Sequence, residues 1–374
     1  MSVPSMPRPL DGIVVLDFST LLPGPLATLM LAEAGAEVIK IERPEGEDMR
    51  RFGPTIGEGA AATSAWFAVL NRGKRCIGLD LKDGDAVERL RPLIARADVV
   101  VEQFRPGVMD RLGLGFEAMR AINPRLVYCS ISGYGARGPR AGAAGHDINY
   151  QATTGALQHA RVSLEAPQPP GLLAADIAGG TMPAVINILL ALLRRERSGV
   201  GAHIDVAMTD AMFTFAVFAQ AQGAATGEWA APGEAVLSGA LPRYGLYRTA
   251  DDRLVAVGAL EEKFWRAFCD LIDLPMRLRD DAATPSETRA AVAERIAARS
   301  HAEWSAALAG TDFCVTPVAT LEEALADPHF VERGLFGHAV ATASGRVLPA
   351  CVVPIDPAFR AAPGVAAVPG IDEA

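Results

Sequence analysis

Residues Gly12-Ile-Val-Val-Leu-Asp-Phe18, then Ser19-Thr-Leu-Leu-Pro-Gly-Pro25 and an apolar run to Leu31, decide the class of the fold. The first seven are short, β-branched and bounded by turn residues, which reads as a buried strand. Pro23-Gly24-Pro25 opens a helical pattern, since proline is tolerated in a first helical turn, and the pattern stops at Gly35. Glu37 to Ile41 reads as a second strand. A strand, a helix and a strand in so few residues make a parallel pair joined by a crossover.

The same alternation continues outward. Strands are expected at Cys76 to Leu81, Asp98 to Phe104 and Arg125 to Ser132, with an amphipathic helix from Asp83 to Arg96. A long helix is expected from Asp176 to Arg195. Arg194, Arg195 and Arg197 suit its C-terminal dipole, and Gly199 stops it. Strand Ala202 to Ala207 and a helix from Asp210 to Gly223 follow. The chain therefore reads as an α/β fold: an open, mostly parallel, Rossmann-like sheet with helices on both faces. The turn after the first strand has no G-x-G-x-x-G, and its prolines remove N–H donors from any pyrophosphate cradle, which excludes NAD and FAD.

Gly227 to Gly239 reads as a linker, and the pattern changes beyond it. A hairpin is expected over Tyr244 to Val257, then helices over Glu261 to Ile272, Ser286 to Arg299 and His301 to Ala309, a small α+β domain. Helix Thr320 to Ala326, an extended segment from Ala339 to Val353 and a surface-bound tail complete the chain. There is no internal repeat.

The chain has 374 residues, more than one average domain, and half are hydrophobic, enough for a real core. With 35 basic against 44 acidic residues the net charge is −9, which argues against nucleic-acid binding and requires a local basic patch for any polyanionic ligand. The odd count of five cysteines, with no Cys-x-x-Cys, suits a reduced, cytoplasmic protein without structural zinc. No two histidines are spaced i,i+4, so no metal site is expected. No basic-then-apolar leader is read, and the apolar run Ala184 to Leu193 is too short to cross a bilayer, so no membrane partner is expected.

Two loops carry the candidate chemistry: Ala144-Gly-His-Asp-Ile-Asn-Tyr150 and Leu172-Leu-Ala-Ala-Asp-Ile-Ala-Gly-Gly180. His146 follows a loose Gly-Ala-Ala-Gly stretch. A lone histidine is more often structural than catalytic, but such loops carry function, and imidazole exchanges protons near neutral pH. Asp176 reads either as an N-cap or first-turn acid or as an ionised carboxylate facing free N–H groups of a helix start, which can also bind an oxyanion. Gly179 and Gly180 allow close approach of the backbone to a ligand. Glu261 reads either as a first-turn acid or as a site residue. Arg43 and Arg105 sit just past strand ends, where ligands bind in open parallel sheets, and Arg72, Lys74 and Arg75 add a basic cluster suited to phosphate. Phe213, Phe215 and Phe218 are assigned to the core.

As a set, Ile-Glu-Arg-Pro (41–44), Asn-Arg-Gly-Lys-Arg (71–75), Phe-Arg-Pro-Gly-Val (104–108), Arg-Leu-Gly-Leu-Gly (111–115), Gly-Tyr-Gly (133–135), Gly-His-Asp-Ile-Asn-Tyr (145–150), Ala-Asp-Ile-Ala-Gly-Gly (175–180), Val-Gly-Ala-Leu-Glu (257–261) and Cys-Val-Thr-Pro-Val (314–318) resemble the family III CoA-transferases nearly end to end. The racemase branch, acting on α-methylacyl-CoA, is the most similar. The resemblance implies an interlocked homodimer. It also implies a large CoA-binding domain (1–225) completed by a returning C-terminal segment (331–374), with a small domain (226–330) inserted. The active site would lie between one subunit's large domain and the other's small domain. His146 and Asp176 would be the two acid–base groups, with Glu261 orienting the histidine. Arg43, Arg72, Lys74, Arg75, Arg105 and Asp147 would hold CoA, and Tyr244, Met208 and Cys314 would line the acyl side. CoA enters as part of the thioester substrate, with no other cofactor required.

The activity so implied is inversion of the α-carbon of a 2-methylacyl-CoA by two-base proton transfer through an enolate. The family's transferases instead use the aspartate as a nucleophile to move CoA between acids, and there an aromatic residue usually replaces the histidine and a Gly-rich loop covers the site. His146 is present, and Ser238 to Pro242 is not Gly-rich, so the racemase is favoured. Leu172 stands where that branch has asparagine, which implies a different pocket. An acyl-CoA binding protein without catalysis is the remaining alternative, and branched fatty, bile-acid-like and smaller acyl groups all stay open.

Overall fold

A computed structural model describes residues 6–59, 62–160, 168–229 and 231–373. Residue 230, inside the expected linker, and the first five residues, where no leader was read, lie outside the described set.

The expected alternation appears in chain order. Strand β1 (Val14–Asp17), helix α1 (Pro23–Glu33) and strand β2 (Glu37–Glu42) form the opening unit. A short hairpin, β3 (Thr55–Ile56) and β4 (Thr63–Ser64), leads to α2 (Ala65–Asn71). The Ser64 hydroxyl caps α2 by accepting from the N–H groups of Trp66 and Phe67. Then come β5 (Arg75–Gly78), α3 (Ala86–Arg96), β6 (Val99–Glu102), α4 (Val108–Arg111), α5 (Phe116–Ile122) and β7 (Val127–Ser132). Helices α6 (Asp147–Thr153) and α7 (Ala156–His159) precede a π-helical segment, Ala175–Thr181, which runs directly into α8 (Met182–Ser198). Gly199, at φ 72°, ends α8 in the left-handed conformation expected of a terminating glycine. Strand β8 (Ala202–Ala207) follows.

Two compact units divide the chain: residues 1–154, 171–215 and 329–374, and residues 155–170 and 216–328. The first carries a seven-stranded sheet in the order β15-β5-β2-β1-β6-β7-β8, every pairing parallel, where β15 is Asp372–Glu373. The strand order reverses at β1, which pairs with β2 on one side and β6 on the other, so a crevice opens between β1 and β6 at their C-terminal ends. One face is packed by α1 and α8 (Ala27, Leu31, Ile188 and Leu192 against Val15, Val101 and Val127), the other by α3 and α5 (Leu90, Ile94 and Met119 against Leu16, Val100 and Tyr128). With both faces covered, the strands read as continuous apolar runs rather than as alternation.

The second unit contains α10 (Val217–Thr226), the antiparallel strands β9 (Tyr244–Arg248), β10 (Leu254–Gly258) and β11 (Val315–Pro317), and helices α11 (Glu262–Leu271), α12 (Pro285–Ala297), α13 (His301–Leu308) and α14 (Leu321–Ala326). Trp265, Phe268 and Trp304 fill its core.

Several expectations are corrected. The division falls at Ala216 rather than 226, where the expected 210–223 helix breaks into α9 (Met212–Phe215) and α10, and residues 155–170 join the smaller unit. Phe213, Phe215 and Phe218 are 51%, 59% and 71% exposed, not core. The tail after Pro354 is exposed or half-buried from Ile355 to Asp372, as expected of a surface-bound segment, and it also pairs with the rest of the large unit. Beyond α15 (Pro328–Glu332), strands β12 (Ala339–Ala341), β13 (Val347–Pro349) and β14 (Val365–Ala367) form their own small sheet, and β15 extends the main one. The helix spanning Ala175–Ser198 is 24 residues long and apolar enough, by length and composition, to cross a membrane, whereas the sequence reading counted only its central run. Its Ala184, Ile188, Ala191 and Leu192 pack on the sheet, and Arg195 is buried in an ion pair with Asp98 at 2.9 Å.

Candidate active site

The crevice at the strand reversal holds a cavity of about 460 Å³. Its walls come from the turn after β1 (Thr20, Leu21, Pro23), the turn after β6 (Gln103 to Pro106), the end of β7, and Met208 just past β8. His146 and Asp176 both line it, with Asn149 and Tyr150. Thirty residues apart in sequence, the two candidate proton-transfer groups share one space.

His146 is the residue before α6, in extended conformation at φ −125°, ψ 176°. Its N–H donates to the Asn149 side-chain oxygen at 3.0 Å, and its carbonyl accepts from the Asn149 N–H at 2.8 Å. The loop before it is pinned by Tyr150, whose hydroxyl donates to the Gly145 carbonyl at 2.6 Å. A Cβ on Gly133 or Gly145 would lie 2.3 or 2.7 Å from the Tyr150 ring, so both positions need glycine. The ring meets Tyr134 edge-on, and burial pushes the Tyr150 hydroxyl up to about 12, so it stays a donor.

Asp176 does not cap a helix. It lies inside the π-helical segment, a rare form that often marks functional sites. Its N–H donates to Asp147 Oδ1 at 2.9 Å, and the next N–H, of Ile177, donates to the Leu173 carbonyl at 3.0 Å. Those groups are occupied, so the expected oxyanion donors after Asp176 are not available. By helix geometry the N–H groups of Asp147 and Ile148, in the first turn of α6, have no partner within their own helix. Gly179 and Gly180 also serve the protein rather than a ligand. A Cβ on Gly179 would sit 2.3 Å from the Met208 carbonyl oxygen, and one on Gly180 would sit 3.0 Å from Met208 Cγ and 3.1 Å from Pro23 Cβ. Burial, and then the negative charge of Asp147, push the Asp176 carboxyl up to about 6, with His146 pulling the other way.

Asp147 is buried and committed to the protein. Its second oxygen accepts from Gln151 Nε2 at 2.5 Å. An anionic carboxylate occupied in this way clamps α6 to the π segment and is unsuited to a phosphate.

The five basic residues part company. Arg105 lines the cavity, is exposed, and makes no ion pair among the described residues. Arg43 lines a second cavity of about 570 Å³, built past the ends of β1, β2, β5 and β6 from Phe18, Ile41, Leu79, Phe104 and Lys82 among others, and pairs with Asp48 at 2.7 Å. Thr20, Leu21 and Phe104 line both cavities, which makes them neighbours along the sheet's C-terminal edge. Arg72 and Lys74 instead precede β5 and Arg75 opens it, at the opposite end of that strand. Arg72 is buried and paired with Glu33 at 2.8 Å, Lys74 is buried and paired with Asp17 at 3.1 Å, and Arg75 pairs with Asp372 at 3.1 Å. Being basic in sequence did not distinguish strand entry from strand exit. Lys82, just past β5, satisfies the strand-exit rule that the sequence reading did not apply to it.

In the smaller unit, Glu261 precedes α11 and its carbonyl accepts from the N–H groups of Phe264 and Trp265. Tyr244 and Cys314 line a cavity of about 580 Å³ there, beside Arg289, whose Nη2 donates to the Gly239 carbonyl. Met208 lines the large unit's cavity, so the expected acyl-side residues divide between the units. Leu172 is 77% exposed and lines neither cavity of the large unit's groove.

The sequence model of CoA-transferase family III matches residues 10–370. The chain is 39% identical over 333 residues to the mouse alpha-methylacyl-CoA racemase, covering 87% of this chain and 82% of that protein. It is 34% identical over 352 residues to the acetyl-CoA:oxalate CoA-transferase of Acetobacter aceti, covering 89% and 87%. A CAIB/BAIF family protein from Brucella suis superposes with a TM-score of 0.80 at 31% identity, over 94% of this chain and 93% of that one.

Proposed function

The chain belongs to CoA-transferase family III, and on that premise we propose that it inverts the α-carbon of 2-methylacyl-CoA thioesters. The observation that carries the reading is the pairing of His146 and Asp176 on one cavity at the strand reversal, with Asp176 raised to about 6. One group takes the α-proton, the thioester becomes an enolate, and the other group returns a proton to the opposite face. The raised carboxyl of Asp176 suits it to one half of that exchange, and an imidazole can hold and release the proton in the other. The developing negative charge on the thioester oxygen is best met by preorganised N–H donors, for which Asp147 and Ile148 in the first turn of α6 are the candidates. The CoA nucleotide would lie along the second cavity, with Arg43 and Lys82 in its lining and Arg105 in that of the first. The likeness to the mouse racemase supports the same reading.

Transfer of CoA is the second reading, favoured by the relatives that are CoA-transferases. In it the Asp176 carboxylate attacks the thioester carbonyl, expels CoA thiolate and forms an acyl anhydride. Incubation of (R)- and (S)-2-methylacyl-CoA in deuterated water without an acceptor acid separates the two. A racemase incorporates deuterium at the α-carbon, and His146→Ala and Asp176→Ala each abolish inversion while CoA still binds. Hydroxylamine trapping of Asp176 without α-exchange would overturn the racemase assignment.

A homodimer belongs to the same proposal. Ile186, Leu190 and Leu193 on α8 are 56%, 57% and 66% exposed, an apolar face that a second copy would cover. Glu261, Tyr244 and Cys314 would then reach the site from the partner's smaller unit. Light scattering at micromolar concentration reads the state directly, and a monomer with full exchange activity would exclude it. Cytoplasmic residence fits a chain with five free cysteines.

A further inference from the structure

The two cavities of the sheet edge are separated by a strained residue. Leu21 has φ 63°, and among the described residues of the large unit it is the one non-glycine residue in the left-handed region. That conformation is unfavourable for a branched side chain and persists only where surroundings impose it. Here they do. The Leu21 N–H donates to Glu47 Oε2 at 3.0 Å. Glu47 is 2% exposed, and its other oxygen pairs with the fully buried Lys40 amine at 3.0 Å. That amine also donates to the Ser19 carbonyl, two residues before Leu21.

The clamp continues outward. The Glu47 N–H donates to Glu42 Oε2 at 2.9 Å, Arg50 grips both oxygens of Glu42 at 2.7 Å, and Arg50 also donates to the Pro369 carbonyl in the C-terminal tail. On the other side Ser19 is held by Asp17, whose carboxylate also accepts from Thr28 and Lys74. A buried charge network of this extent, bonded to the backbone of Ser19 and Leu21, is costly to assemble and serves shape rather than apolar packing. Its product is a leucine side chain, 37% exposed, standing where the 460 Å³ and 570 Å³ cavities meet.

We infer that Leu21 is the saddle over which the pantetheine arm of an acyl-CoA crosses from the nucleotide cavity to the reacting carbon, and that Glu47 is the positioning residue that holds it there. The inference rests on the acyl-CoA reading above. A flexible arm loses less freedom on binding when its path is already shaped, so the saddle acts on substrates that carry the whole arm and nucleotide.

The test compares Leu21→Gly, which suits the backbone and removes the side chain, with Leu21→Asn, which also tolerates the left-handed region and keeps a polar side chain. Each is assayed with a 2-methylacyl-CoA and with the truncated S-acyl-N-acetylcysteamine thioester, which lacks the nucleotide and most of the arm. The expected result is a KM for the acyl-CoA raised about tenfold, at least fivefold more than for the truncated thioester, with melting temperature equal to or above wild type because strain is relieved. Glu47→Gln is expected to shift the same ratio in the same direction. Equal losses on both thioesters, or no loss on either, overturn the inference. Wild-type protein that binds no CoA overturns the acyl-CoA reading and this inference with it.

Discussion

Asp147→Ala tests whether the candidate site is held together as described. The substitution removes one acceptor from two donors at once, the Asp176 N–H at 2.9 Å and the Gln151 amide at 2.5 Å. Hydrogen bonds to a charged group contribute about 1.5–3 kcal/mol each. The lost carboxylate also carried a desolvation cost of its own, so a net loss of about 2–3 kcal/mol is expected. In a unit of this size each kcal/mol moves the melting temperature by about 2–4 °C, which gives a fall on the order of 5–10 °C. Asp147→Asn keeps an oxygen for the Asp176 N–H and is expected to lose less than half as much. Catalysis should suffer more than stability. The clamp ties the start of α6, with His146, to the π segment, with Asp176, and a misplacement of about 1 Å costs roughly a hundredfold in rate. Scanning calorimetry and α-deuterium exchange measure the two effects. An alanine variant that melts within about 1 °C of wild type and exchanges at the wild-type rate would refute the clamp.

Asp176→Asn is expected to stabilise while it inactivates. Because the folded carboxyl is raised to about 6, above its unfolded value, the unfolded chain ionises first and wild-type stability falls as pH climbs from about 4 to 6. The variant should therefore melt above wild type at about pH 7 and lose that advantage at about pH 4, and an advantage independent of pH would remove the argument. Gly179→Ala places a Cβ 2.3 Å from a backbone oxygen that has no rotamer to yield and should cost about 1–3 kcal/mol or more, whereas Gly142→Ala, in open space, should stay within about 0.5 kcal/mol by denaturant titration. Arg105→Ala should weaken CoA binding in calorimetry without lowering the melting temperature. Arg72→Ala should do the reverse, because it leaves Glu33 half of a broken buried pair, a loss of about 3–5 kcal/mol.

The sheet was legible because its strands are short, β-branched and separated by helices with clear ends. Pro23 at the start of α1 and Gly199 at the end of α8 fall where the sequence put them. The reversal of strand order was not legible, since no local residue states which neighbour a strand takes. The loop pair carrying His146 and Asp176 was legible as chemistry, and its meeting in one cavity follows from topology alone. What failed was the reading of charge and of glycine. Lys74 and Arg72 carry the same residue signal as a phosphate site, yet their partners Asp17 and Glu33 come from distant segments that only the fold brings near. Gly179 and Gly180 looked like room for a ligand, but Met208 and Pro23 occupy it. The left-handed backbone of Leu21 left no trace at all, because leucine is the last residue a turn rule would assign there.

The environment of Asp176 serves proton transfer and acyl transfer alike, and so cannot separate them. Burial that lifts the carboxyl to about 6 makes it a stronger proton acceptor than an ordinary carboxylate, which would suit it to one side of an inversion. The same burial strips water from a carboxylate and sharpens it as a nucleophile. The distinction therefore falls on what else faces the same cavity. An anhydride route needs nothing basic there and is better served by an apolar cover. An inversion route fails without a second proton carrier. His146, fixed at the head of α6 by Asn149 and approached by a loop that Tyr150 pins, lines that cavity and would be of no use to an acyl transfer. That placement is the physical reason to favour inversion.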